Sequence, residues 1–352
     1  MVTPPRDDSR TTGACSLPIS RHVKFWKLHL SMLPAPYVRG DDQRMTFAYF
    51  CLGALDLLQQ LDTVVSQSDR EAYTSWVYGQ QISSELGGGF RGSPAACRGH
   101  ITMTYTALLI LAILRDDFSR LDREALRTHI SQLQQPDGSF ACAQDSPEKD
   151  VRFSYCAFAI AYMLHDWSMM DKQAAIQYLL RCQHYESAFA QEPGLESHAG
   201  STYCVVAALC LADNLNRIPC QPALERWVLS RQCQGSGFQG RPEKEPDTCY
   251  SFWCGASAKI LGCHDKIDGM SDVNWILSAA SPMGGIAKVP SEMPDILHSY
   301  LSIVALAMHA EDGVWAQDAP FARASGALNL SYASLNWIYA HLWSAPPEEL
   351  IP

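Results

Sequence analysis

Asp247 and Cys249 place a carboxylate and a thiol two residues apart, and Arg241, Lys244 and Tyr250 set two cations and a phenol beside them. Prolines at 242 and 246 keep this stretch from continuing a helix. Its polar groups therefore sit on a turn that leads into an apolar run. A spacing of two is wrong for one helix face. With Asp247 just outside a helix and Cys249 in its first turn, both side chains can still converge on one metal ion. His298 would add a nitrogen to the oxygen and the sulfur, leaving a fourth position open, the donor pattern of a catalytic zinc. The same residues also read as a capping aspartate, a buried cysteine and a satisfied histidine, and spacing does not choose between the two. Arg241, Lys244, Tyr250 and His198 can surround a diphosphate, or the cations can belong to an ordinary solvated loop.

The elements that must position these groups recur along the chain. A Gly/Phe-type turn returns at Phe90, Phe140, Phe189, Phe238 and Ile286, with spacings of 50, 49, 49 and 48. A tyrosine that opens an apolar run returns at Tyr105, Tyr155, Tyr203, Tyr250 and Tyr300, spaced 50, 48, 47 and 50. Two independent markers with one period establish an internal repeat. Each unit reads as an amphipathic helix before the turn (121–135, 172–184, 222–234, 270–281) and a nearly all-apolar helix from the tyrosine (105–114, 155–164, 203–212, 250–261, 300–308). An opening pair, 21–33 and 46–61, and a closing helix, 328–343, flank them. Helices that are apolar all round need burial on every side. The stack is therefore expected to close into a ring rather than run as an open solenoid. The expected fold is all-α, an α/α barrel of about six helical pairs with inner and outer helices alternating. It forms one domain over 21–345, between a disordered tail, 1–20, and a C-terminal tail, 346–352.

In such a ring the inner helices all begin at one end, so residues just before each tyrosine should line one rim. These are His100 and Thr102, Arg152, His198 and Thr202, Asp247 and Cys249, and His298. Helix N-termini gathered there also favour anions. Glu148 and Arg152 are either a helix-end ion pair or part of a site. Phe50, Phe153, Tyr155, Tyr203, Phe252 and Trp253 either line an apolar tunnel or are plain core.

Composition narrows the function classes. The 352 residues are 47% hydrophobic and 18% charged, which fits a large buried core rather than disorder. A net charge of −10 argues against general nucleic-acid binding and suits a partner with a basic tail. Thirteen cysteines, an odd number with no CxxC pair, fit a reducing compartment. The apolar run 105–114 is too short to span a bilayer, so a soluble, cytoplasmic protein is expected. The Asp-rich DxDD motif of a terpene-cyclase-type barrel is not found. A non-catalytic toroid scaffold would leave the metal triad an accident.

Three motifs go further: Gly-Leu-Glu-Ser-His198-Ala-Gly-Ser-Thr, Gly-Arg241-Pro-Glu-Lys244-Glu-Pro-Asp247-Thr-Cys249-Tyr250-Ser-Phe-Trp, and Gly-Gly-Ile-Ala-Lys288-Val-Pro with Asp295-Ile-Leu-His298. Together they resemble the β subunits of the protein prenyltransferases, and within them the type I geranylgeranyl subfamily, over about 21–343. The resemblance implies a zinc ion held by Asp247, Cys249 and His298, and an obligatory α subunit in a heterodimer. It implies transfer of a geranylgeranyl group from geranylgeranyl diphosphate to the cysteine of C-terminal CaaX proteins, preferentially CaaL, through a zinc-bound thiolate. Rho- and Rap-like small GTPases are the implied substrates, with no nucleic acid and no stable membrane insertion. Carried over residue by residue, His198, Arg241, Lys244 and Tyr250 match the diphosphate contacts, and Glu148 and Arg152 match the holders of the peptide's carboxyl end. His100, Thr102, Phe153 and Thr46 match positions around the last peptide residue and the far end of the isoprenoid.

A farnesyltransferase or Rab-type β subunit is the nearest rival, and three positions choose the type I geranylgeranyl subtype over it. Thr46 stands where farnesyl enzymes resemble one another in having a tryptophan, so the tunnel end stays open for twenty carbons. Lys288 stands where the farnesyl enzymes have a magnesium-binding aspartate, so a fixed ammonium joins the catalytic set and magnesium is not required. The opening Arg21-His-Val-Lys-Phe-Trp also looks like this subtype. Thr102 departs from an expected alanine, the loop between Phe90 and His100 is short, and 311–327 is irregular, which leaves peptide preference open.

Overall fold

The structure, a computed structural model, describes residues 17–315, 321–347 and 349–352. Most of the expected N-terminal tail, residues 1–16, lies outside the described residues. Fourteen α-helices are described: α1 (Ile19–Ser31), α2 (Arg44–Leu57), α3 (Leu61–Val64), α4 (Gln67–Tyr78), α5 (Ile101–Ile113), α6 (Arg123–Leu133) and α7 (Val151–Met163), then α8 (Lys172–Arg181), α9 (Ala199–Leu211), α10 (Gln221–Leu229), α11 (Cys249–Ile260), α12 (Gly269–Ser278), α13 (Ile296–Glu311) and α14 (Tyr332–Leu342). Helices α2, α5, α7, α9, α11 and α13 each pack on the next, and α13 packs back on α2. The ring is closed, with α1, α4, α6, α8, α10 and α12 outside it. Among the described residues no helix is long and apolar enough to cross a membrane.

The two kinds of helix follow from their sequences. In α5 every residue but Thr102 is buried, as an inner helix contacted on all sides requires. In α6 the buried residues are Ala125, Leu126, His129, Ile130 and Leu133, a single stripe. Each outer helix returns to the next inner one through the repeated turn, where Phe90, Phe140, Phe189, Phe238 and Ile286 are fully buried. Each turn is pinned by a bridge to the end of the preceding helix, as Gln134 pairs with Phe140 and Gln183 with Phe189. Burial of each such phenylalanine contributes roughly 1.5–3 kcal/mol. Gly138 illustrates the turn's demand. Its φ is +89°, and a β-carbon there would lie 2.7 Å from the Ala174 carbonyl carbon, so both backbone and space call for glycine.

The inner helices begin earlier than the tyrosine marker suggests, about one turn upstream, because polar side chains cap them. His100 accepts from Thr102 N, Asp150 from Arg152 N, His198 from Gly200 N and Asp295 from both Leu297 N and His298 N. Asp247 Oδ1 accepts from Cys249 N at 3.0 Å in the same way. Counted from these caps, Tyr105, Tyr155, Tyr203 and Tyr300 are equivalent, but the fifth equivalent is Phe252. Tyr250 is two residues out of register, in the place that His298 occupies on α13. It belongs to the rim rather than to the ring of buried tyrosines.

That ring closes the far end. The phenols of Tyr105, Tyr155, Tyr203 and Tyr300 donate to the carbonyls of Leu328, Ala327, Gly326 and Asn329, at 2.8, 3.0, 2.8 and 2.7 Å. Tyr49 donates to Asn329 as well. This strap runs between two short antiparallel strands, β1 (Ala324–Ser325) and β2 (Leu330–Ser331). Asn329 takes a left-handed φ of +55°. The expected helix over 328–343 therefore starts only at Tyr332. The final residues dock on the strap, with the Pro352 carbonyl accepting from Ala327 N at 2.9 Å and Ser325 Oγ at 2.8 Å. Helix α4 was not assigned from the sequence, since its apolar positions are few; a Ser66–Asp69 capping box starts it.

Candidate active site at the rim

Asp247, Cys249 and His298 offer ligand atoms that all lie within 4.8 Å of one another. Cys249 is the first residue of α11, Asp247 lies just before it, and His298 sits in the first turn of α13. His298 Nε2 is 3.2 Å from Asp247 Oδ1, and its Nδ1 is 2.6 Å from Asp295 Oδ2. Burial works against the His298 imidazolium, but the carboxylates of Asp247 and Asp295 outweigh it and raise its pKa to about 9. Burial, with the Asp247 charge, pushes the Cys249 thiol well above its ordinary range. Burial alone would raise the Asp247 carboxyl too, yet His298 and the Cys249 N–H bring it below the usual range. The three donor atoms lie close enough together to be held by one ion. The oxygen–sulfur–nitrogen set with a carboxylate orienting the histidine fits zinc.

Next to the triad lies a cleft of about 460 Å³ lined by His198, Arg241, Lys244, Asp247, Tyr250 and Lys288, among others. His198 Nδ1 accepts from Gly200 N at 3.1 Å, which leaves the proton on Nε2. Nε2 lies 3.1 Å from the Tyr250 oxygen, so His198 donates and the phenol hydrogen is free for a ligand. Burial, then the Arg241 charge, lowers the His198 pKa, and burial raises that of Tyr250. Both remain neutral donors. Arg241 is shared with Glu196 at 2.8 Å. Lys244 and Lys288 are exposed and have no ion-pair partner among the described residues. Glu245, Asp247 and Glu292 also line the cleft, so the groups that could hold a polyanion such as a diphosphate are Arg241, Lys244, Lys288 and the Tyr250 hydroxyl.

A second cavity, about 400 Å³, runs down the ring axis and brings together Thr46, His100, Thr102, Glu148, Arg152 and Phe153. Phe50, Tyr155, Tyr203 and Trp253 also line it, but Phe252 does not. Phe252 is fully buried and packs against Tyr203 and Trp253. Thr46 sits on the wall beside Met103, with Oγ1 3.5 Å from its sulfur, one helical turn nearer the rim than Tyr49. At the mouth Arg152 pairs with Glu148 at 2.9 Å.

Known proteins share this sequence pattern and fold. The model of the prenyltransferase alpha-alpha toroid domain matches residues 17–333. The chain is 37% identical to the geranylgeranyl transferase type-1 subunit beta of Arabidopsis thaliana, covering 84% of this chain and 85% of that one. It is 35% identical to the subunit of the same name from Dictyostelium discoideum, covering 81% and 88%. The fold also matches a solved Candida albicans protein geranylgeranyltransferase-I complexed with GGPP, with a TM-score of 0.85 at 22% identity over 93% of this chain and 99% of that one.

The chain belongs to the prenyltransferase α/α-toroid family.

Within this toroid, three positions that shape the candidate site carry little signal in the sequence. Asp150, 1% exposed, takes Arg152 through Nη2 at 2.7 Å and Nε at 3.1 Å and also accepts from Gln191 Nε2 at 2.8 Å. It fixes the arginine at the tunnel mouth, and its cap position was the available signal. Asp295 orients His298 from three residues away, and in the sequence only its place in the Asp-Ile-Leu-His motif marks it. Gly240 lets the Tyr250 ring lie against the backbone, since a β-carbon there would be 2.6 Å from Cε1. No pattern in the sequence marks that contact.

Proposed function

We propose that this chain is the catalytic β subunit of a type I protein geranylgeranyltransferase, working in a heterodimer with a prenyltransferase α subunit. One observation carries the reading: Asp247 belongs both to the three-donor metal cluster and to the cationic cleft, so a metal and a diphosphate would sit side by side at one rim. The names of the two relatives support the subtype.

Asp247, Cys249 and His298 would hold zinc, whose contribution when bound is to lower the pKa of an incoming thiol so that it ionises at neutral pH. A free cysteine is only a few per cent thiolate there. Cys249 is thus a ligand, and the nucleophile comes from the substrate's C-terminal CaaX cysteine. Arg241, Lys244, Lys288 and Tyr250 would hold the diphosphate of geranylgeranyl diphosphate. Their charge and hydrogen bonds count most as the allylic C–O bond breaks and negative charge grows on the leaving group. Lys288 supplies a fixed positive charge, which removes the need for magnesium. The axial tunnel would bury the prenyl chain and keep water from the carbon that is being transferred. Arg152, braced by Asp150 and Glu148, would receive the peptide's terminal carboxylate, with His100, Thr102 and Phe153 around its last side chain. Small GTPases ending in CaaX, CaaL above all, are the substrate class. A cytoplasmic location accords with the free state of all twelve described cysteines.

The test is transfer of labelled geranylgeranyl or farnesyl to a CaaL peptide by the heterodimer, in zinc buffer without magnesium. Preferential geranylgeranyl transfer is expected. Transfer of farnesyl alone, and only with magnesium, would overturn the subtype and the roles of Thr46 and Lys288.

A further inference from the structure

We propose that the strap Gly326–Asn329 is the depth gauge of the tunnel, with Asn329 as the residue that sets how long an isoprenoid chain can be accepted. The inference rests on the tunnel's holding the donor's prenyl chain, and it concerns a part of the tunnel distinct from Thr46.

The cavity that starts at His100 and Arg152 ends on Tyr49, Tyr105, Tyr155, Tyr203 and Asn329. Left free, four phenols at the bottom of a lipid tunnel would make a polar, hydrated floor. Here each hydroxyl is committed to a strap carbonyl: Tyr203 to Gly326, Tyr155 to Ala327, Tyr105 to Leu328, and Tyr49 to Asn329. Tyr300 adds a second donor to Asn329. The phenol rings therefore offer their apolar carbon surface to a chain, while the strap consumes their polar ends. The strap cannot swing away easily, because Pro352 holds Ala327 N and Ser325 Oγ from the outside.

Asn329 is the strap residue that reaches the cavity. It is 6% exposed, and its Oδ1 is buried with no hydrogen-bond partner among the described residues. An apolar chain end that reaches this side chain meets the bulk of a packed floor. The floor thus stops the chain sterically. Its φ of +55° explains why asparagine is tolerated and makes glycine a replacement without backbone strain. Thr46, by contrast, is on the side wall beside Met103, a turn above the floor.

The experiment measures kcat/KM of the heterodimer for the twenty-carbon donor and for its twenty-five-carbon homologue, geranylfarnesyl diphosphate, in wild type and Asn329→Gly. The expected result is a rise of about tenfold or more in the twenty-five to twenty-carbon ratio, with the peptide KM unmoved. A merely structural role would lower both donors together and leave the ratio alone. An unchanged ratio in a folded variant, with wild type active on the twenty-carbon donor, overturns the depth gauge and leaves the proposed function standing. Wild type inactive with either donor would overturn the function and the gauge with it. Should Asn329→Gly not fold, Asn329→Ala removes the same amide bulk while every phenol keeps its strap carbonyl, and it must shift the ratio in the same direction. Unchanged discrimination in that variant likewise overturns the inference.

Discussion

Gly240→Ala should cripple transfer although residue 240 offers no side chain to any ligand. A β-carbon at 240 would lie 2.6 Å from Tyr250 Cε1 and closer still to Cζ and the hydroxyl, whereas ordinary contact begins at 3.4 Å. The ring must move by about an ångström or more. The helix cannot move instead, because Thr248 anchors its start through N to the Lys288 carbonyl at 3.0 Å and Oγ1 to the Ala287 carbonyl at 2.8 Å. Tyr250 would then leave His198, now 3.1 Å away, and lose its aim into the cleft. A misplacement of about 1 Å at a reacting centre costs about a hundredfold in rate, or ~2.7 kcal/mol of barrier. Single-turnover transfer at saturating donor and peptide reads this directly. Because the effect runs through one ring, Gly240→Ala should add almost nothing in a Tyr250→Ala background. A wild-type rate for the single variant, or the same hundredfold loss on top of Tyr250→Ala, would refute the reasoning.

Asp150→Asn should raise the peptide KM about tenfold or more and leave donor affinity alone, since charged hydrogen bonds of about 1.5–3 kcal/mol hold Arg152; equal losses for both substrates would contradict this. Lys288→Asp should make the transfer rate depend on added magnesium, and a flat magnesium response would remove Lys288 from the diphosphate site. Thr46→Trp should shift preference toward the fifteen-carbon donor, as read from the ratio of the two kcat/KM values; an unmoved ratio counts against its position on the tunnel wall. His22 and His129 are buried, and burial lowers both to about 4 from 6.5. Each depressed histidine keeps its full stability above pH 6.5, where folded and unfolded chains are both neutral, and loses it as pH falls toward 4, because the unfolded state takes up the proton first. Each should cost on the order of 3 kcal/mol at full protonation, so the melting temperature should fall steeply from pH 6.5 to 4; a flat profile would contradict their buried, neutral state.

Much of this architecture was legible because the repeat is enforced by geometry that leaves residues behind. A buried phenylalanine at each turn and an apolar helix after it are needed every time the chain re-enters the ring. Phe90, Phe140, Phe189 and Phe238 therefore mark it without any knowledge of the fold. Tyr250 shows where such reading fails. One-dimensional spacing placed it with the buried tyrosines, but its helix starts at a different offset, and only the cap positions reveal that Phe252 is the true equivalent. Asp247, Cys249 and His298 stood out as candidate metal ligands because each falls at the start of an inner helix, but spacing alone could not separate them from a capping aspartate, a buried cysteine and a satisfied histidine; the motif resemblance favoured the metal. Asp150 did not stand out, because a capping aspartate and an arginine anchor look alike in a sequence. The strap could not be found there, since it acts through backbone carbonyls bonded to residues far away in the chain, 123 positions for Tyr203 and Gly326; Gly240 is only 10 residues from Tyr250, but their contact depends on the shape of the turn between them, which no residue pattern marks.

The claim that the rest depends on is that Asp247, Cys249 and His298 form a metal centre. Metal content of the purified heterodimer, measured for wild type and for Asp247→Ala, Cys249→Ala and His298→Ala, tests it most directly, with circular dichroism to show that each barrel is folded. About one zinc per wild-type β chain, lost together with transfer activity in the folded variants, is the predicted result. Wild-type transfer without zinc, or a Cys249→Ala protein that keeps both metal and activity, would contradict the account.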